Sequence, residues 1–280
     1  MWVIDGALGF APYFGLPFGL FIVPVVLFRR WKLVLLAAVP FLMWAAFMVA
    51  VNLLLVRSKS CPDGPMLRVA TVNVLIGNAE MGALADAVLA QSPDVIVFEE
   101  LALELEELSS ALAQAYPYRI STETPWLTLV SRIPVENMRR LPLDPPIPGR
   151  EQLAADLRIE SRAVTIVGMH AIPPLNGETY AQHDKQYDVV EFSIRETDGP
   201  VIVFGDINAT VYSPSLIGFL RRTGLRPVSS PSQEVTHRPM FGLGIRIDHV
   251  LIRGFDACSE EVFNLPGSDH EGLAVGVRLK

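Results

Sequence analysis

Two uncharged apolar runs at the N-terminus constrain this chain more than any other feature. Residues 7–28 contain no charged side chain, and Leu33–Val56 contains none either, with Asn52 its most polar member. A helix rising about 1.5 Å per residue needs ~20 such residues to cross roughly 30 Å of hydrocarbon, and each run meets that length. Between them stand Arg29-Arg30-Trp31-Lys32, too short for a domain and suited to a tight turn. Trp2 and Trp31 fall near run ends, where amphipathic rings favour the membrane interface. A signal peptide would open on basic residues and carry one shorter apolar core; this chain opens Met-Trp-Val-Ile-Asp and repeats the core. The pattern predicts a transmembrane helical hairpin within residues 1–57, with helices at about 7–28 and 33–56. Pro12, Pro17 and Pro24 leave the first helix bent or partly re-entrant. The turn carries three basic residues, the N-terminus none, and Arg57 and Lys59 follow the second run. Positive-inside bias then puts the turn in the cytoplasm and the large domain outside an inner or plasma membrane, with the bilayer as partner.

Residues 58–66 (SKSCPDGPM) form a polar linker, and 67–280 have the length of one globular domain with a sizeable core. From Cys61 onward the chain holds 18 basic and 29 acidic residues. Such an acidic surface is poorly built for gripping polyanions, which depends on neutralisation by Lys and Arg. The two cysteines, Cys61 and Cys258, make no CxxC pair, so neither a zinc site nor a redox motif is indicated. Two unlinked thiols are the plainer expectation; a bridge between them would require an oxidising compartment.

Within the domain, alternation marks Leu67–Asn73 as a half-buried strand. Helical spacing covers Ala79–Gln91, and Asp94–Phe98 reads as a central strand. A helix over Leu101–Ala115 follows, then strands at Leu127–Ser131, Ala154–Ile159 and Ala163–His170. Helices at Tyr180–Arg195 and Ser213–Arg222 flank a strand at Val201–Gly205; strands at Ile245–Ile252 and Leu273–Leu279 close the chain. Many strands interleaved with few helices imply a layered α/β sandwich.

Polar residues gather at strand ends where packing does not require them. Asn73, Glu99-Glu100, His170, Gly205-Asp206-Ile207-Asn208, Arg246-Ile247-Asp248-His249 and Ser268-Asp269-His270 all stand at such positions. Taken singly, each suits a solvated turn, a helix cap or a hydrogen-bonded core histidine. Together, strand ends on one sheet edge converge on a shared crevice. Several carboxylates, two amides and two imidazoles there match the needs of phosphate-ester hydrolysis. Hard oxygens hold Mg²⁺ or Mn²⁺, a carboxylate activates water, and imidazolium or amide groups meet the developing charge. The histidines lack zinc-ligand spacing, which favours an oxygen-ligated ion.

The ordered series TVN (71–73), PDVIVFEEL (93–101), VSRIPV (130–135), GMHAIPP (168–174), GDINAT (205–210), RIDHVLI (246–252) and GSDH (267–270) resembles the endonuclease/exonuclease/phosphatase superfamily. Deoxyribonuclease-like and neutral-sphingomyelinase-like enzymes belong to that group. The resemblance implies a four-layered α/β sandwich, two mixed sheets flanked by helices, over residues 67–280. It also implies a metal held by Asn73, Glu100 and Asp269. His170 stands at the position of a catalytic histidine, Asp206 at that of the water-activating acid, and Asn208 at that of a phosphate-binding amide. His270 would contact the scissile phosphate, with Asp248 fixing its imidazole. Glu99 falls behind this set, where many members have Gln. Leu75 replaces an acid common in apurinic-site endonucleases, and Glu271-Gly272 replaces the usual sequel of the terminal Asp-His. Because the anchor would confine the site to a bilayer surface and the domain is acidic, the expected substrate is a membrane-proximal, phospholipid-like phosphate ester, with an extracytoplasmic nuclease acting on DNA or RNA as the alternative. A catalytically silent adaptor is the lesser alternative.

Overall fold

The computed structural model describes residues 2–15, 31–55, 61, 64–124, 126–195, 197–228, 234–238 and 243–280, without the side chains of 31–37, 54 and 55. Among them, twelve strands form two six-stranded sheets. The first sheet has the order β11 (Phe255–Asn264), β12 (Glu271–Leu279), β1 (Leu67–Asn73), β2 (Val95–Glu99), β4 (Leu127–Ser131) and β3 (Tyr118–Ser121). The second runs β5 (Val135–Leu141), β6 (Gln152–Ile159), β7 (Arg162–Gly168), β8 (Val201–Asp206), β10 (Asp248–Arg253) and β9 (Arg226–Pro227). Both sheets are mixed: β1–β2 and β7–β8 are parallel, and the other pairs are antiparallel.

Period-2 alternation decides which face each side chain meets. Leu67, Val69, Val95, Val97, Ile202, Phe204, Val250 and Ile252 fill the space between the sheets. The alternate residues Ala70, Val72, Ile96 and Phe98 turn outward onto α3 (Met81–Ala90), α4 (Leu105–Leu108) and α5 (Ser110–Ala115). On the other side, Val167, Val201, Val203 and Leu251 meet α6 (Gly177–Arg195) and α7 (Pro214–Thr223). The result is an α/β sandwich of two mixed sheets between two helical layers. The helix expected over Leu101–Ala115 is instead two short pieces, because extended Ser109 (φ −165°) takes the Leu112 N–H on its own hydroxyl and starts a new helix.

The predicted transmembrane hairpin is not supported: among the described residues, no helix is long and apolar enough to cross a membrane. Its first run does not begin as a spanning helix. Helix α1 (Trp2–Gly9) ends at Gly9, and a 3-10 turn, Ala11–Phe14, follows with Pro12 in its first positions. This segment lies on the sandwich. Buried Asp5 accepts hydrogen bonds from the Ser215 N–H (2.9 Å) and hydroxyl (2.8 Å). Residues 16–28 of that run lie outside the described residues. The second run is helical as α2 (Trp31–Leu55), and Val51, with Phe47 and Met48, packs on Val211 and Tyr212.

The cysteines also depart from the plainer expectation. Cys61 and Cys258 form a disulfide across 197 residues. Antiparallel pairing of β11 with β12 skips a residue between Ala257 and Ser259, and the bulged Cys258 is the one that meets the linker.

Candidate active site

Inward alternation carries a functional set to one end of the sandwich. Thr71 and Asn73 continue the inward face of β1, Glu99 that of β2, Asp206 that of β8 and Asp248 that of β10. Because β1 pairs with β2 in parallel, Asn73 stands beside Glu99, and Asp206 stands opposite Asp248 across the antiparallel β8–β10 ladder. The side chains then meet across the gap between sheets. The Asn73 amide donates to Asp206 Oδ2 (3.2 Å) and Glu100 Oε1 (3.4 Å). His170 Nε2 lies 3.9 Å from each of those carboxylates. His270 Nε2 lies 3.8 Å from Asp206 Oδ2, and its Nδ1 lies 2.9 Å from Asp248 Oδ2.

Behind this cluster, buried Glu99 ties the sheets together. It accepts from the Thr71 hydroxyl (2.7 Å) and the Val72 N–H (3.1 Å) on one side and the Asp206 N–H (3.1 Å) on the other. Gln152 fixes His170 by accepting its N–H (2.8 Å), and Gln186 donates to its carbonyl (3.0 Å). Asn208 donates its side-chain amide to the Ala171 carbonyl (2.9 Å), and its N–H reaches Asp206 Oδ1 (3.0 Å). Ser268 links the strand ends, donating to the Asn73 carbonyl (2.8 Å) and accepting the His270 N–H (3.0 Å).

Burial in a crowd of acids sets the electrostatics. Burial, reinforced by the Asp248 charge, pushes Asp206 up to about 7. Burial works against the His270 imidazolium, yet the charge and hydrogen bond of Asp248, with Asp206 and Asp269 nearby, push it up to about 10. Its partner Asp248 is held below the usual carboxylate range: burial opposes this, and His270 overcomes it. His170 is pushed down to about 3 by burial and by the charges of Arg150 and His270, so it is a neutral imidazole at pH 7. Glu99 is raised by burial and by Asp248.

The structure thus brings Asn73, Glu100, His170, Asp206, Asp248 and His270 together, with Asn208 alongside. Asp269 is half exposed and lines the same cavity as Glu100, Asp206 and His270, its carboxylate 3.9 Å from His237 Nδ1. Sequence reasoning missed His237, whose ring stacks at a tilt on His270 (4.4 Å between centroids) and whose backbone bridges both Ile245 and His270. No strand pattern flags its Thr-His-Arg-Pro context. It also missed the N-terminal contribution. A cavity of about 380 Å³ is lined by Glu100, Asp206, Asn208, His237 and His270, and equally by Gly6, Gly9 and Phe10. The lone charge of Asp5 in an otherwise apolar N-terminus was the available signal.

The donor set fits a hard divalent cation. Buried or part-buried Glu100, Asp206 and Asp248 converge around the His270 imidazolium, with the Arg150 charge near Glu100, a crowd of acids that such an ion would offset. Asp206, Asp248 and His270 offer ligand atoms within 4.8 Å of one another, as do His237, Asp269 and His270.

Comparisons with known proteins agree with this fold. A profile of the endonuclease/exonuclease/phosphatase family matches residues 70–270. The UPF0294 protein of Vibrio parahaemolyticus is 28% identical over 120 residues, a match spanning 42% of this chain and 41% of that relative. Among solved structures, an endonuclease/exonuclease/phosphatase protein from Beutenbergia cavernae superposes with a TM-score of 0.64 at 19% identity, over 77% of this chain and 72% of that one. Sphingomyelinase C from Streptomyces griseocarneus gives 0.58 at 19% identity, over 76% and 99%. The D. rerio TDP2 complex with a single-strand DNA product gives 0.63 at 16% identity, over 77% and 100%. On the family match, this chain belongs to the endonuclease/exonuclease/phosphatase family, whose members are hydrolases acting on phosphate esters.

Proposed function

We propose that the protein hydrolyses a phosphodiester or phosphomonoester with the help of Mg²⁺ or Mn²⁺, by direct attack of water, on a phospholipid-like ester at a membrane surface. The observation that carries this reading is the convergence of Glu100, Asp206 and His270 on one cavity, with His170 Nε2 3.9 Å from both acids. Glu100, Asn73 and Asp269 would hold the cation. When bound, the cation neutralises phosphate charge and stabilises the leaving oxygen. Asp206, titrating near neutrality, is suited to take a proton from the attacking water. His270, kept cationic by Asp248, offers Nε2–H to a phosphate oxygen as charge builds. Neutral His170 and the Asn208 amide orient the ester without adding charge.

An extracytoplasmic domain anchored by residues 1–57 to the inner or plasma membrane is supported by the two apolar runs and by the Cys61–Cys258 bridge, which suits an oxidising compartment. Exposed Val39, Leu42, Met43, Val49 and Leu53 on α2 support the bilayer as partner. An external nuclease is the second reading, favoured by the superposition on a protein complexed with single-strand DNA. Assay of the full chain with Mg²⁺ against sphingomyelin, phosphatidylinositol phosphates and supercoiled plasmid separates the two. Lipid turnover is expected; plasmid nicking without lipid turnover rejects the lipid assignment. A melting temperature indifferent to Mg²⁺, Mn²⁺ and EDTA would instead indicate a silent adaptor.

A further inference from the structure

The segment Trp2–Phe14 crosses the mouth of the site and is fastened on both sides of it. On one side, Asp5 is buried against the start of α7 through the Ser215 N–H and hydroxyl. On the other, the Tyr13 hydroxyl donates to the Gly244 carbonyl (2.5 Å), just ahead of β10. Between these fastenings, Gly9 approaches Thr210, and Gly6, Gly9 and Phe10 form one wall of the cavity whose floor is Glu100, Asp206 and His270. Without this segment, the strand ends would open onto a broad face. With it, they open into about 380 Å³, a volume that takes one small organic ligand. A DNA duplex, with grooves roughly 6 and 12 Å wide, needs free space on both sides of the reacting phosphate, and one side here is closed. The outer surface beside the wall is apolar: Trp2, Val3 and Ile4 of α1 and Leu175 of the cavity rim are exposed, and Trp2 lies beside Gly177. The same segment leads into the apolar runs at residues 7–56.

From this arrangement we infer that Trp2–Phe14 is a specificity-determining wall of the active site, admitting the head-group phosphodiester of a membrane lipid and excluding a nucleic-acid backbone. The inference rests on the phosphoesterase reading above and assigns its selectivity to residues outside the family's catalytic domain. Gly6 provides the direct test. Nothing lies within 4 Å of a Cβ added there, and a helical glycine accepts a side chain without cost to the helix. The full chain is assayed with Mg²⁺ as wild type, Gly6→Trp and Phe10→Ala. The substrates are vesicles of phosphatidylcholine and sphingomyelin, soluble p-nitrophenyl phosphorylcholine and supercoiled plasmid. Gly6→Trp should lower the ratio of vesicle-lipid to soluble-ester turnover at least tenfold. Phe10→Ala, which opens the wall, should raise the ratio of plasmid to soluble-ester turnover several-fold. If both ratios stay within twofold of wild type while wild type hydrolyses lipid, the wall is overturned and the phosphoesterase reading stands. A wild type that hydrolyses neither the lipid nor the soluble ester overturns both.

Discussion

Glu100 and Asn208 hold left-handed backbone, φ 57° and 51°, conformations that cost a non-glycine residue on the order of 1 kcal/mol or more. Both strained residues carry site side chains, which is where such strain is tolerated. Glu100→Gln should weaken Mn²⁺ binding at least about tenfold by calorimetry while leaving the EDTA-treated melting temperature nearly unchanged. Asp206→Asn and His270→Ala should each reduce kcat by roughly 10²–10⁴-fold, because each removes a group that moves or balances charge at the reacting phosphate; near-wild-type turnover in either would refute its role. Outside this cluster, His249 is buried and pushed down to about 4 by burial and by the Arg246 charge, its Nε2 donating to the Ala209 carbonyl (2.9 Å). An unfolded imidazole titrates near 6.5, so between pH 6.5 and 4 only the unfolded chain takes that proton. Stability therefore falls as pH drops through this window, by on the order of 3 kcal/mol from this residue. His249→Gln, which keeps a donor for Ala209, should move the acid-unfolding midpoint to lower pH when followed by circular dichroism. Residue types and strand-end positions made Asn73, Asp206 and His270 legible in the sequence. His237 and the partners of Glu99 were not, because their places depend on a loop path and on how two sheets face each other.

At the scale of elements, the close parallel pairing of β7 with β8 is what places Asp206. Gly205 has φ +145°, and a Cβ there would stand 1.9 Å from the Met169 carbonyl oxygen and 3.0 Å from Glu99 Oε1. Neither neighbour can retreat without moving the hydrogen bond that Glu99 makes to the Asp206 N–H. Gly205→Ala should thus cost on the order of 3 kcal/mol and lose activity in the fraction that folds, as read by thermal melts with turnover per folded molecule. Val203→Ala on the outward face of β8 should cost about 2 kcal/mol and leave the folded fraction active. Strands with strong alternation or continuous apolar runs, such as β1, β4 and β8, were readable from sequence. β5 (VENMRRL) and β11 (FDACSEEVFN) were not: both are sheet-edge strands, partly exposed, with too few apolar positions to mark a period. Their assignment depends on antiparallel pairing with the next strands, β6 and β12, which supply the apolar face they lack.

For the whole molecule, the acidic sandwich, the N-terminal wall and the linker bridge form one assembly. The disulfide closes 197 residues of sequence, nearly the entire catalytic domain, so its reduction stabilises the unfolded ensemble by on the order of 5 kcal/mol. Cys258→Ser, or dithiothreitol added to wild type, should lower the melting temperature by roughly 10 °C, and reductant should have no further effect on the variant. The sequence could count two cysteines but not align them, since their meeting depends on a one-residue bulge in β11. That bulge also governs how load travels. A pull on the chain ahead of Cys61 meets the bridge to Cys258, on the outermost strand β11, before it meets Leu67 of the interior strand β1. Under the proposed anchorage by residues 1–57, drag would thereby reach β11 before the strand that ends in Asn73.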